Sequence, residues 1–186
     1  YLQDVYNWRD RFFITADVRY DDNTRAAGLA TYRLSPVLLL SKTGTRLRGS
    51  LGTGHRAPAL FELFGNTTTA IGRSFQGNRD LRPEKSTSWE VGFDQPLGNP
   101  NIVSGFTYFQ SNIKDLIVAS GFPTIPNNVR DAQIKGIELL LSMRDILAFD
   151  FTSAYTFMSA ENKETGGSLS RRPKHKLDLD AILERA

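Results

Sequence analysis

The sequence predicts an all-β fold, an antiparallel transmembrane β-barrel present in part, from three observations. Apolar and polar residues alternate with period two in segments of about nine to twelve residues, the repeat of a strand with two unlike faces. In each assigned segment the apolar phase carries no charge, although charges are frequent one residue away. Links between segments alternate between tight and long. A cation on the lipid face at mid-bilayer costs roughly 2 to 4 kcal/mol, so a membrane barrel requires this segregation. A soluble sandwich shows it too, with the apolar phase turned to a shared core, so alternation alone does not separate the two.

The segments follow in order. In residues 12–21, Ile14, Ala16, Val18 and Tyr20 form one phase and Thr15, Asp17, Arg19 and Asp21 the other. In residues 31–40, Tyr32, Leu34, Pro36, Leu38 and Leu40 share a phase opposed by Arg33, and Pro36 predicts a bulge or local edge because it removes a ladder donor. Leu47 and Leu51 stand against Arg46, Arg48 and Ser50, and Trp89, Val91 and Phe93 against Glu90, Gly92 and Asp94. Residues 101–110 are strand-like, but Phe106 and Tyr108 in one phase and Phe109 in the other leave the lipid face unassigned. Ile137, Leu139, Leu141 and Met143 alternate with Glu138, Leu140 and Ser142. Phe149, Phe151, Ser153, Tyr155 and Phe157 back onto Asp150, Thr152 and Thr156, and Leu177, Leu179, Ala181 and Leu183 oppose Lys176, Asp178 and Asp180.

Segment length favours the barrel, because sandwich strands average about five or six residues and a tilted membrane strand needs roughly nine to eleven. Tyr20, Tyr32, Trp89 and Phe157 fall near segment ends, as an interfacial aromatic girdle would. Links 41–44, 96–100 and 144–147 are tight, while 54–85, 111–130 and 161–173 are long. Short periplasmic turns and long extracellular loops give this asymmetry, with the short link at 22–25 a mild exception on the outer side.

Composition bounds the function. The chain has 186 residues, 40% hydrophobic and 23% charged, as an ordinary folded unit does. A formal charge of +3 implies no nucleic-acid partner without a clustered basic face. Cysteine is absent, so there is no disulfide framework, thiolate metal site or cysteine nucleophile. No apolar run reaches the length of a transmembrane helix, which leaves barrel strands untouched. The first residues resemble no signal peptide, and the chain reads as an interior piece.

Residues 52–57 (GTGHRA) formally fit a dinucleotide fingerprint, but Pro58 follows at once and no crossover helix has room before Gly65. His55 and His175 are the only histidines, and neither has carboxylates at ligand spacing, so no metal site is assigned. No nucleophile elbow occurs, and the chain is not read as an enzyme. The basic run 171–176 (RRPKHK) is a solvated loop end or, through Arg171, Arg172 and Lys174, a contact with lipopolysaccharide phosphates.

Two stretches are more specific. Residues 50–64 (SLGTGHRAPALFELF) and 77–92 (GNRDLRPEKSTSWEVG) resemble, at the usual separation, segments of the TonB-dependent outer-membrane receptor barrel. The resemblance continues through 108–117 (YFQSNIKDLI), 135–138 (KGIE) and 171–176, and so spans nearly the whole chain, closest in style to the siderophore and cobalamin branch. Locally, Pro58 and Pro83 fix the backbone at the two ends of the longest loop. Glu84 and Lys85 are candidates for an exposed ion pair. Gly136 would admit a close backbone neighbour, and Glu138 would point to the lumen.

The resemblance implies that residues 1–186 are a segment of a β-barrel domain, about eight of about twenty-two strands, with the plug domain and the C-terminal strands outside it. It implies TonB-energised uptake of a metal chelate, such as a ferric siderophore, haem or cobalamin, across the bacterial outer membrane. The TonB complex would act through the plug, the energy would come from the proton gradient, and no cofactor is implied. Arg46, Arg48, Glu90 and Asp94 face either the plug or lumen water. Loop position and residue type suggest ligand contacts from Arg73, Phe75 and Arg79 in one long loop and from Phe122 and Asn127 in the next. Two rivals are a small self-contained barrel with a structural or adhesion role and a soluble β-sandwich binding module.

Overall fold

The structure is a computed structural model that describes residues 1–23, 26–69, 72, 74–146, 148–169 and 172–183, with the backbone alone for residues 23, 26, 27, 129 and 130. Nine strands form one antiparallel meander: β1 (Leu2–Trp8), β2 (Phe12–Asn23), β3 (Ala26–Leu40), β4 (Thr45–Arg56), β7 (Glu84–Leu97), β8 (Asn99–Ser120), β9 (Ile125–Ile146), β10 (Phe149–Asn162) and β11 (His175–Leu183). A short helix, α1 (Leu60–Phe64), and a hairpin of β5 (Asn66–Thr68) and β6 (Ser74–Gln76) fill the link between β4 and β7. β1 and β11 are the two edges and do not pair, so the sheet is open. This overturns the self-contained barrel, which needs its first and last strands joined. The sandwich falls as well, because no second large sheet exists among the described residues.

Register is what turns nine alternating strands into one two-faced wall. A single row of paired residues runs Trp8, Phe12, Leu38, Leu47, Phe93, Phe106, Leu139, Tyr155 and Leu177 across all nine strands. On the other face, Arg48, Gly92, Thr107, Glu138, Thr156 and Lys176 make a parallel row. The apolar row has no opposing layer: Leu38, Leu47, Phe93, Leu139 and Leu177 are all exposed. The buried apolar residues, Leu81, Pro126, Ala132 and Ala160, lie instead near the long-loop side. A soluble domain would bury such leucines, and a barrel presents them to hydrocarbon. Register also resolves residues 101–110: Phe106 and Tyr108 share the outer face with Phe93 and Val91, and Phe109 turns inward opposite Glu90 and Gly136.

Several expectations change. β1 is a ninth strand where eight were expected, and its outer phase holds Asp4 opposite Ala16, an exception to the chargeless face. The link 111–130 is not a loop: β8 and β9 are 22 residues each and pair almost to their ends at Ser120 and Ile125. That is about twice what crossing a bilayer requires, so the two strands project outward as a ribbon. Pro36 causes no register shift, although the ladder from β3 to β4 lacks pairs at Ser35 and Pro36. The turns 9–11 and 41–44, the single residue Gly98, and Ala148 lie on one side of the sheet, with the described residues of 57–83 and 163–174 on the other. In the short outer link, residues 24 and 25 lie outside the described residues.

Candidate functional site

Two places carry chemistry: the assembly on the long-loop side and the inner face below it. The assembly starts at Arg56, the last residue of β4. Its guanidinium donates to Glu62 of α1 (3.1 Å) and to Glu84 at the start of β7 (2.7 Å), while the Ile117 N–H donates to the same Glu84 oxygen (2.8 Å). Both groups lie beyond Trp89 and Tyr108, outside the membrane-spanning part. Burial pushes the Glu84 carboxyl up, but the Arg56 and Ile117 hydrogen bonds outweigh it and hold the group below the usual range. The Glu84 hydrogen bond raises Arg56 in turn. Glu84 therefore pairs with Arg56, not with Lys85.

Glu62 also accepts the Ala59 N–H (2.7 Å), and its carbonyl accepts the Asn78 N–H (2.8 Å). Gly77 packs against α1 so closely that a Cβ there would lie 2.7 Å from Phe64 N, which only glycine avoids. Phe75 stacks on Phe61 at 4.4 Å, and the Arg79 guanidinium sits 5.3 Å over the Phe64 ring. The loop then docks on the β8–β9 ribbon. Gln76 N–H donates to Thr124 O (3.0 Å) and Thr124 N–H to Ser74 O (2.9 Å). Asn78 donates to Pro126 O (3.1 Å), Asn128 accepts from Arg82 N–H (2.9 Å), and Arg82 pairs with Asp115 (2.7 Å).

The inner face is polar. Asp94 is buried and holds two arginines, Arg46 at 2.7 Å and Arg48 at 3.5 Å, and Arg48 also donates to Thr107. Farther up, Arg33, Ser50, Ser88, Glu90, Ser111 and Glu138 line an open cavity of about 470 Å³ on the same face. Glu138 thus lies on the polar side, as expected. Gly136 meets the predicted close neighbour: a Cβ there would run into the Phe157 carbonyl oxygen and lie 2.8 Å from Phe109 Cζ.

A strand wall with a chargeless outer row, a charged inner row and latched outer loops is the frame of an outer-membrane receptor barrel. The family model described as TonB dependent receptor-like, beta-barrel, matches residues 1–183. The chain belongs to that family. TonB-dependent receptors are outer-membrane proteins and not enzymes. Among solved structures, the siderophore receptor PirA of Acinetobacter baumannii is 22% identical with a TM-score of 0.75, over 94% of this chain and 29% of its own. The copper transporter OprC is 19% identical with a TM-score of 0.76, over 98% of this chain and 32% of its own. The hemophore receptor HasR of Serratia marcescens is 17% identical with a TM-score of 0.72, over 86% of this chain and 33% of its own. At these identities the likeness shows the fold. The chain spans about a third of the length of each of these three proteins.

The candidate residues sort as follows. Arg46, Arg48 and Asp94 form one ion-paired cluster, and Glu90 lies in the neighbouring cavity. Phe75 and Arg79 belong to the same latched loop, and Asn127 accepts from Asn78 (3.3 Å), so the two long segments meet. Phe122 stands apart at the ribbon tip, 76% exposed. Arg73 lies outside the described residues, as does Arg171 of the basic run. Sequence reasoning missed the latch of Arg56, Glu62, Glu84, Asp115 and Asn128. Arg56, Glu62, Glu84 and Asp115 fall within the motifs that carry the resemblance, whereas Asn128 lies outside them.

Proposed function

We propose that the chain is part of the barrel of a receptor that imports a scarce metal chelate, a ferric siderophore, haem or cobalamin, in a TonB-dependent step. The observation that supports this reading best is the latched outer assembly, which sets aromatic and cationic side chains above a polar inner wall. In the complete receptor, Phe75, Arg79, Phe122 and Asn127, with Arg73, contact the chelate at the outer mouth. Arg46, Arg48, Glu90 and Asp94 face a plug domain supplied by the rest of the protein, and the TonB complex acts through that plug. Arg171, Arg172 and Lys174 contact lipopolysaccharide phosphates. Siderophore, copper and hemophore receptors or transporters share this wall, which supports a reading in which the barrel wall does not choose the chelate.

The test is uptake by cells that depend on the full-length receptor, presented in turn with labelled ferric siderophores, haem and cobalamin, with and without TonB. Accumulation of one of these that disappears without TonB is the expected result. Uptake of none of them by a correctly inserted receptor would refute the cargo class. For the assigned contacts, Phe75→Ala and Arg79→Ala are expected to weaken binding of that chelate about tenfold each. Unchanged affinity in both would remove them from the site.

A further inference from the structure

Asp4 breaks the charge segregation of the outer face. It lies on β1 and pairs in register with Ala16 on β2. Ala16 is four residues from Phe12 at the lower end of β2 and four from Tyr20 in the outer girdle, about 13 Å along the strand from each at ~3.3 Å per residue. An outer-membrane barrel carries an apolar band about 25 Å tall. Asp4 therefore meets the bilayer near its middle, where a lone carboxylate is disfavoured. Leu2 and Tyr6 flank it on β1, Val18 and Leu34 lie beside it on the same face, and all four are exposed.

The carboxylate accepts the N–H of the next residue, Val5 (2.9 Å), and no side-chain donor reaches it among the described residues. The ladder fixes the direction of that N–H. Leu39 N–H donates to Arg11 O, so odd-numbered residues of β2 turn their backbone groups to β3 and even-numbered ones to β1. In register with Ala16, Asp4 turns its own backbone groups to β2, and Val5 turns its N–H out over the free edge. The Asp4 carboxylate thus leans on the seam where the next strand of a closed barrel adds. Once that strand pairs, the Val5 N–H belongs to the ladder, because backbone donors in hydrocarbon are satisfied within the sheet. The carboxylate then needs another donor, and Ala16, Val18, Leu34 and Pro36 on β2 and β3 offer none.

We propose that Asp4 forms a lipid-facing ion pair with a lysine or arginine on the strand that adds to β1 in the complete receptor. Only a cation both donates to the carboxylate and cancels its charge, which the middle of a bilayer demands. Because side chains alternate between faces, a slip of one residue would turn that cation to the lumen, so the pair holds the seam in register. The inference rests on the outer-membrane placement of the barrel and not on which chelate is carried.

The experiment uses the full-length receptor folded in phospholipid vesicles, with the folded fraction read from heat-modifiable migration across a urea series. Asp4→Leu makes the outer face more apolar, so a carboxylate that simply faced lipid would give a more stable receptor on replacement. The ion pair gives the opposite sign. Leucine leaves the cation unpaired in hydrocarbon, and the folding equilibrium should fall by about tenfold or more. Replacing the cation by leucine as well should restore the original equilibrium, because an apolar pair suits lipid at least as well as an ionic one. If Asp4→Leu does not fold, Asp4→Asn keeps the shape and should show a smaller loss in the same direction. A stabilised or unchanged Asp4 variant would overturn the proposal, as would an adjoining strand with no lysine or arginine on its lipid face. Receptor dimers that Asp4→Leu dissociates in native mass spectrometry would make a second copy the partner, and would overturn it too.

Discussion

At the scale of single residues, the Arg56–Glu84 pair sets the behaviour of the outer loops. The folded pKa of Glu84 lies below its unfolded value. Its contribution is therefore full above about pH 4.5 and is lost as pH falls through the depressed value. Limited proteolysis of the full receptor should find residues 57–83 protected at neutral pH and cut more readily under strong acid. Glu84→Gln should remove most of that pH dependence. It should also cost about 1 kcal/mol, below the usual worth of a charged hydrogen bond because Arg56 is partly open to solvent. Urea titration of loop cleavage checks the magnitude. At Gly136, alanine forces a methyl group against the Phe157 carbonyl and the Phe109 ring. A cost of about 1 to 3 kcal/mol is expected, read as a lower temperature at which the folded band is lost in heat-modifiability gels. The resemblance at residues 135–138 pointed to Gly136, but nothing in the sequence pointed to the pairing of Arg56 with Glu84, because a partner 28 positions away becomes visible only once β4 and β7 pair.

At the scale of elements, strands declared themselves where they cross hydrocarbon and hid where they leave it. Residues 137–143 alternate because one face must be apolar, and β9 was legible there. The outer parts of β8 and β9 contain Asn112, Lys114, Asp115, Asn127, Asn128 and Asp131. With water on both faces no apolar phase is needed, so a paired ribbon reads as a loop. β1 was missed for a related reason: Asp4 interrupts its outer phase. The same logic predicts opposite outcomes for arginine on the two faces of the wall. Leu139→Arg should destabilise folding into phospholipid vesicles by about 2 to 4 kcal/mol. Thr156→Arg, on the inner face opposite Glu138, should cost little. Similar costs in both would remove the assignment of faces. Asn128→Ala, which cuts its links to Arg82 and Asp115, should raise hydrogen exchange in residues 74–82 and 121–124 together, because the latch holds them as one unit.

At the scale of the whole molecule, an open nine-stranded wall has two unpaired edges, β1 and β11, and an apolar face with nothing over it. Both features are costly in water and are removed when a barrel closes in a bilayer. Detergent or lipid is therefore expected to be required for any soluble preparation of the chain, and sedimentation in plain buffer should show aggregates. The sequence by itself determined the all-β class, the alternation of faces and the family. Each of these is written in local periodicity or in short motifs, which need no knowledge of distant partners. Only the tertiary structure decided which phase of residues 101–110 meets lipid, that Arg46 and Arg48 share Asp94, that the loop motifs close a latch, and that Lys85 stands beside Lys114. Those outcomes depend on register between strands, and a shift of one residue would exchange the two faces without changing a single letter of the sequence.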